Sequence, residues 1–407
     1  MDGGHSQAAR LLVISTNEWP LVGKLASALV VAGFHVAVVC PAGSPVNRIT
    51  KIHGRFRYRS WNSATSIRLA IKEWSPDVLV CTDDLAVRKL HSLYFEASKK
   101  IEERDSQYLM SLIESSLGDH RYFVKTQLKS EILLLAASIG ILCPRTAIWT
   151  NNITLEREAD RTLFPILVKT DGSFGGRGVR LVNDQQGLLA AITELHLPYS
   201  WPGPLKRLLG RHFFNLFFRW SSEWPRKISI QQYIDGRPCN RAVVCWKGKV
   251  LAGITADVLA TSYLFGPATV VKIIDHPNIT SAVEAIVAKL KLSGFVGFDF
   301  MLDSKNNAWF LEMNLRATPT SHICAQGQDL AASFFSQIAG TTPKASNRVI
   351  HGNVVRLFPV EVTEIEKVKV SMFDDAPDDE ADYVDACRTK KNKKGPLRYV
   401  CQKVCIR

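Results

Sequence analysis

Residues 164–182 read FPILVKTDGSFGGRGVRLV, and the order of residue types in this stretch governs the reading of the whole chain. An apolar strand ends at Lys169 and runs into a loop carrying Gly172, Gly175, Gly176 and Gly178, and a second strand follows over 179–182. Glycine reaches positive φ without a steric penalty and leaves backbone N–H groups free to point inward, so the loop suits phosphate. Lys169 adds a point charge and Arg177 a fork of donors. The P-loop pattern GxxxxGK[ST] is absent, and the dinucleotide fingerprint needs a helix where this chain has a strand. The stretch therefore reads as a strand–loop–strand lid over phosphate, with a plain glycine-rich hairpin turn as the alternative.

A second hairpin, about 130 positions downstream, bears on that choice. Residues 294–322 read GFVGFDFMLDSKNNAWFLEMNLRATPTSH, two strands joined by a turn at 303–307. Phe298 and Phe300 alternate with Asp299, and alternation along the second strand sets Glu312, Asn314 and Arg316 on one face. If the hairpin pairs about its turn, Asp299 lies close to Glu312. Two carboxylates and an amide oxygen then meet in one place, a hard-oxygen site for Mg²⁺, which completes its shell with phosphates. Arg316 faces the same phosphates. Taken singly, each acidic residue is only a solvated position on a strand.

The pairing of LVKTDGSFGGRGV with GFDFMLDSKNNAWFLEMNLR resembles the ATP-grasp superfamily of ATP-dependent ligases, and the resemblance covers roughly residues 11–340. Lys129, eleven residues before Gly140 in KSEILLLAASIGILCP, is similar to the family's first nucleotide-binding lysine. Residues 228–236, ISIQQYIDG, look like the hinge strand that meets the adenine edge, which implies nucleotide contacts by Gln231, Gln232, Tyr233 and Ile234. By the same resemblance Lys169 contacts the phosphates near the sugar. The loop of Gly172, Ser173, Gly175, Gly176 and Gly178 closes over the outer phosphates. Asp299, Glu312 and Asn314 hold Mg²⁺, with Mn²⁺ as a substitute, and Arg316, with Lys169, acts on the transferred phosphate or substrate. Gln231 and Gln232 stand where the family often has glutamate, and Pro238 where many members carry an acidic residue. The resemblance implies an α/β protein: an N-terminal parallel-sheet (preATP-grasp) domain followed by a two-lobed ATP-grasp domain. It also implies a Mg²⁺- and ATP-dependent ligase that joins a small carboxylate to an amine or similar nucleophile through an acyl phosphate, releasing ADP and phosphate. A bicarbonate-activating, carboxylase-like enzyme and a non-catalytic ATP-binding regulatory module are the alternatives.

Composition fits a soluble enzyme. With 407 residues, 46% of them hydrophobic, the chain can bury cores in two or three domains. The nine cysteines are scattered, odd in number and without CxxC spacing, which reads as reduced thiols in a cytoplasmic protein. The first strand is too short for a signal sequence, and no apolar run approaches the ~20 residues that span a bilayer. The basic tail supplies much of the net charge of +13. Residues 374–385 carry seven acids and no base, and residues 388–407 eight bases and no acid, so the basic tail is expected to fold back on the acidic run. No aromatic-basic platform or zinc module points to nucleic acid.

The resulting division is 1–120 as an N-terminal α/β domain, 121–340 as the ATP-grasp domain, and 341–407 as a C-terminal extension. In the first domain, strands at 11–15, 36–40 and 77–82 alternate with helices at 21–32 and 67–74, an order that calls for a parallel sheet. Asn17, Glu18, Asp83 and Asp84 follow strand ends, where open parallel sheets bind ligands, although helix caps and loop positions explain them equally. His322 is a substrate-binding or proton-transferring candidate and equally a structural histidine. The second domain is interrupted at 196–227. Residues 201–227 hold seven Trp and Phe and six Lys and Arg against one Glu, a basic amphipathic pattern that reads as a packed face. Its alternative is an element resting on anionic membrane or admitting a lipid-like substrate.

Overall fold

The computed structural model describes residues 9–149, 164–170, 178–196, 228–262, 266–343, 354–359, 372–377 and 379–392. The glycine-loop residues 171–177 and the basic-aromatic segment 201–227 lie outside them, as does the basic tail beyond 392.

Three short apolar runs build the first sheet: β1 (Arg10–Ile14), β2 (His35–Cys40) and β4 (Val78–Cys81), joined at the edge by the more polar β3 (Gly54–Arg57). Strands apolar on both faces must be covered on both, which is the condition for a parallel sheet, and all pairings in the order β3-β2-β1-β4 are parallel. The covering helices are α1 (Leu21–Ala32), α2 (Ser63–Trp74), α3 (Asp84–Ala97) and α4 (Arg104–Leu117). α1 stops where Gly33 takes φ 120°, a conformation that side chains avoid. Asp83 caps α3 by accepting from the Ala86 N–H.

The short α5 (Phe123–Thr126) and α6 (Lys129–Ser138) lead into a four-stranded antiparallel sheet: β5 (Thr146–Trp149), β6 (Ile166–Thr170), β7 (Val179–Val182) and β8 (Ile228–Gln232), in the order β5-β8-β6-β7. β6 and β7 form the expected hairpin, with Lys169 opposite Val179. The helix Gln185–His196 lays Leu188, Ala191, Ile192 and Leu195 over Ile166, Val168 and Ile230 of this sheet.

A seven-stranded sheet follows. It contains β9 (Arg237–Trp246), β10 (Lys249–Thr261), β11 (Ala268–Ile274), β12 (Gly294–Leu302) and β13 (Ala308–Asn314). The two-stranded ribbon β14 (Cys324–Ala325) and β15 (Gln328–Asp329) stands apart, and β16 (Val354–Arg356) and β17 (Phe373–Asp374) complete the large sheet in the order β13-β12-β9-β10-β11-β16-β17. On one face the helix Pro277–Leu290 buries Ile279, Val283, Ile286, Val287 and Leu290 against Phe298, Phe300 and Val243. On the other, the helix Leu330–Ala339 brings Phe334 to Phe34 and Phe295, ring centroids 5.8 and 5.4 Å apart, tying the large sheet to the end of α1. The Ala317 amide donates to the Cys81 carbonyl at 3.0 Å, which pins the chain after β13 to the carboxyl end of β4.

Residues 354–359, 372–377 and 379–392 are part of this body, through β16, β17 and the helix Ala381–Asn392. The acidic run pairs with cations elsewhere in the fold. Asp375 lies between Lys24 Nζ at 2.7 Å and His322 Nε2 at 3.0 Å, with the three side chains at most 8% exposed. Its other oxygen accepts from the Phe358 N–H, and Lys24 also donates to the Phe358 carbonyl at 3.1 Å. Asp379 pairs with Lys51 and Asp374 with Arg356. Among the described residues the acidic run meets Lys24, Lys51, His322 and Arg356, and the basic tail expected to fold back on it lies outside them. His322 is accordingly a structural histidine.

Removing one member of a buried ionic cluster strands the others, at a cost of about 3–5 kcal/mol. Lys24→Met or Asp375→Asn is therefore expected to lower the unfolding free energy by roughly that amount, read by chemical denaturation of the full chain. Burial pushes the Asp375 carboxyl up, but Lys24 and His322 outweigh it and hold the group down to about 2. A depressed carboxyl stabilises above its unfolded value and ceases to as pH falls through its folded value. The parent chain should thus lose this contribution between roughly pH 4 and pH 2, and the Asp375→Asn chain should show a flatter acid limb.

Candidate active site

The site forms where the β12–β13 hairpin meets α6, the small sheet and the carboxyl end of β4. Asp299 is directly opposite Glu312, the arrangement expected if the hairpin pairs about its turn. How it is reached differs from simple alternation. Phe310 pairs with Phe300 and Glu312 with Asp299, so Leu311 is an extra residue on β13. Without that bulge, Glu312 would share the face of Phe310 and point into the apolar core. With it, Glu312 and Asn314 turn to the face of Asp299 while Phe310 and Met313 stay buried. β13 ends at Asn314, so Arg316 lies beyond the strand.

Lysines offset the two carboxylates. Lys129, the first residue of α6, bonds through Nζ to Glu312 Oε2 at 2.9 Å. Burial works against the charge of Lys129, yet Glu312 and Asp84 raise its pKa overall. Lys169 on β6 is affected first by burial and then by Lys129, which outweigh the attraction of Glu312 and Asp299 and lower it to about 8. Burial and the neighbouring Glu312 push the Asp299 carboxyl up. Glu312 is held down against burial by Lys129 and Lys169. The pair is two acids at one place with opposed titration, which a divalent cation between them would relieve. Asn314 turns Nδ2 toward Asp299 Oδ2 at 3.0 Å, and its Oδ1 accepts from Arg316 at 3.4 Å. As an oxygen ligand it must turn its amide over.

Arg316 is held from the opposite side. Its Nε donates to Asp84 Oδ1 at 3.0 Å, its Nη1 to the Ala317 carbonyl at 3.1 Å, and the guanidinium lies 5.4 Å from the Trp19 ring centroid. Burial opposes the charge of Arg316, but Asp84 raises its pKa overall. Asp83, the neighbour of Asp84, is consumed structurally, accepting from Thr16 N and Oγ1 at 2.7 Å each and capping α3. Asn17 contributes its backbone carbonyl to Ser15. Glu18 folds over Gly43, where a Cβ would collide with its carboxylate. Of the four carboxyl-edge candidates, Asp84 is the one that meets the hairpin.

The hinge divides its glutamines. On β8, Gln231 and Ser229 share a face with Lys169, because Lys169 pairs with Ser229 two residues before Gln231. Gln231 donates through Nε2 to Thr146 Oγ1 at 3.1 Å, while its buried Oε1 has no partner. A buried acceptor left unpaired costs about 1–3 kcal/mol, so it fits a ligand that brings an N–H. Gln232 accepts from the Arg145 N–H at 3.2 Å and serves the β5 edge. Tyr233 and Ile234 continue past β8. Burial and Asp235 raise the Tyr233 phenol, and Ile234 is buried. At the hairpin neck the Thr170 N–H donates to the Gly178 carbonyl at 3.0 Å. Gly172, Ser173, Gly175 and Gly176 lie outside the described residues.

The contacts of Trp19 and the Leu311 bulge carried no signal in the sequence. No helix among the described residues is long and apolar enough to cross a membrane.

The sequence matches no family model and no curated protein. Solved structures match it along most of its length. N5-carboxyaminoimidazole synthetase from Staphylococcus aureus, complexed with ADP, is 13% identical with a TM-score of 0.56, over 86% of this chain and 80% of that one. The biotin carboxylase domain of the Hydrogenobacter thermophilus 2-oxoglutarate carboxylase, with MgADP and bicarbonate, is 15% identical with a TM-score of 0.57, over 83% and 71%. L-amino acid ligase from Bacillus licheniformis is 14% identical with a TM-score of 0.54, over 81% and 74%. Identities this low speak to architecture, and the chain has the ATP-grasp fold that these enzymes share.

Proposed function

We propose that this chain is a Mg²⁺- and ATP-dependent ligase that joins a carboxylate to an amine through an acyl phosphate and releases ADP and phosphate. The observation that carries the reading is the Asp299–Glu312 pair with Lys129 bound to it and Lys169 facing it, at the point where the small and large sheets meet. Two carboxylates and two lysines in one protected place match the alternating charges of a metal-bound polyphosphate. When bound, the Mg²⁺–nucleotide supplies the phosphoryl group that turns a carboxylate, a poor acyl donor, into an acyl phosphate. Attack by an amine then forms the C–N bond as phosphate departs.

The residues of the chain divide this work. Asp299 and Glu312 hold the cation, and Asn314 joins them when its amide turns. Lys129 and Lys169 neutralise phosphate charge without adding a covalent step. Gln231 offers its unpaired Oε1 to the exocyclic amine of adenine. Arg316 neutralises charge on the transferred group, and Asp84, bonded to Arg316 and 47% exposed, offers a carboxylate to an incoming ammonium.

A panel of carboxylic acids incubated with ATP and hydroxylamine tests the reaction: a productive acid should yield hydroxamate and ADP in equal amounts. Release of AMP and pyrophosphate with every productive acid would sink the acyl-phosphate route, and bicarbonate-dependent ADP release would move the chain to the carboxylases. Glu312→Ala should abolish turnover with the fold retained by circular dichroism, and Lys169→Ala should weaken ATP binding as well. Gln231→Leu should lower ADP affinity about tenfold or more in calorimetry, as loss of a buried acceptor predicts. Asp84→Asn should raise KM for the amine roughly tenfold and leave ADP affinity unchanged. An unchanged amine KM removes Asp84 from the acceptor site.

A further inference from the structure

The row that contains Asp299 and Glu312 extends one strand further. In the large sheet Glu312 pairs with Asp299, Asp299 with Asn240 on β9, and Asn240 with Ala256 on β10. Directly opposed residues of antiparallel strands point to the same face, with Cβ atoms about 4.5–5.5 Å apart. Asn240 therefore stands beside Asp299 on the side away from Glu312. The flanking residues of β9 face the other way: Cys239 pairs with Phe300 and Arg241 with Phe298, in the layer covered by the helix Pro277–Leu290.

The amide oxygen of Asn240 is buried and accepts no hydrogen bond. The side chain of its neighbour on the far side, Ala256, has no donor to give. An unpaired buried carbonyl costs about 1–3 kcal/mol, and an apolar side chain of similar size would avoid that cost. An oxygen kept at that cost, within one strand spacing of a carboxylate pair, is placed for a ligand. Its chemistry suits a cation. An amide oxygen is a hard donor, and being neutral it adds nothing to the repulsion between Asp299 and Glu312, as a third carboxylate would.

We propose that Asn240 is a further oxygen ligand to the divalent cation held by Asp299 and Glu312, approaching it from the side opposite Glu312. The proposal rests on the nucleotide-binding reading above and adds a residue that lies about 60 positions upstream of the hairpin. Asn240 works by holding the cation in place and takes no part in proton transfer.

Titration of the full chain with Mn²⁺, followed by the electron paramagnetic resonance signal of the free ion with and without ADP, tests it. The parent and Asp299→Asn set the limits. Asn240→Leu is expected to lower Mn²⁺ affinity in the presence of ADP by about tenfold or more, in the range known for residues that support a metal site. Its melting temperature in the absence of metal should be equal to or above that of the parent, because the orphaned oxygen is gone. Asn240→Asp should restore Mn²⁺ binding. If the leucine does not fit, Asn240→Ala should show the same loss of affinity. An Asn240→Leu or Asn240→Ala chain that binds Mn²⁺ with ADP as tightly as the parent overturns the assignment and leaves the ligase reading intact. A parent that binds no ADP overturns the nucleotide reading itself, and this proposal with it.

Discussion

Two carboxylates set side by side in a protected place are the constraint from which the rest of the site follows. Asp299 and Glu312 repel each other, and each is only partly open to water. Compensation has to come from elsewhere in the chain. Lys129 reaches Glu312 from the start of α6, and Lys169 faces it from β6. Arg316 would add a third cation, and its charge is balanced in turn by Asp84 from the N-terminal sheet. Four separate segments thus converge because a single acidic pair requires it. On the proposed reading, the same pair is what would draw a cation bridged to phosphates.

How much of this was legible in the sequence depends on the range of each interaction. The apolar runs of β1, β2 and β4, the glycine that ends α1 and the hairpin strands on either side of the glycine loop are local patterns, and they stand where composition and spacing set them. The Asp299–Glu312 contact was legible too, because a hairpin fixes register through its turn. The phase along β13 was not. Counting in twos from Phe310 assigns Glu312 to the core, and only the extra residue at Leu311 returns it to the site. A bulge of this kind leaves no mark in a single sequence, since leucine is as ordinary there as anywhere else in a strand.

Contacts between distant segments were harder still. A lone asparagine in β9 carries no signal until the strand order places it beside Asp299. Likewise Asp83 and Asp84 are indistinguishable as letters, yet one faces Thr16 and the cap of α3 while the other faces Arg316. The acidic run near the end of the chain was legible as charge, but nothing in its sequence pointed to Lys24, Lys51 or His322 as partners. Lys24 and His322 compete for Asp375 from positions that adjacency in sequence does not suggest.

The Lys24–Asp375 contact joins residues 351 positions apart, and this gives the chain a timetable. At ribosomal speeds of about 5–20 residues per second, roughly 20–70 s separate the synthesis of its two ends. Throughout that interval the first helix has emerged with an ammonium aimed at a place where the fold will later exclude water. The apolar residues of α1 meet their own sheet locally, but the partners that the folded chain gives the Lys24 ammonium, Asp375 and the Phe358 carbonyl, are both made in the last part of that interval.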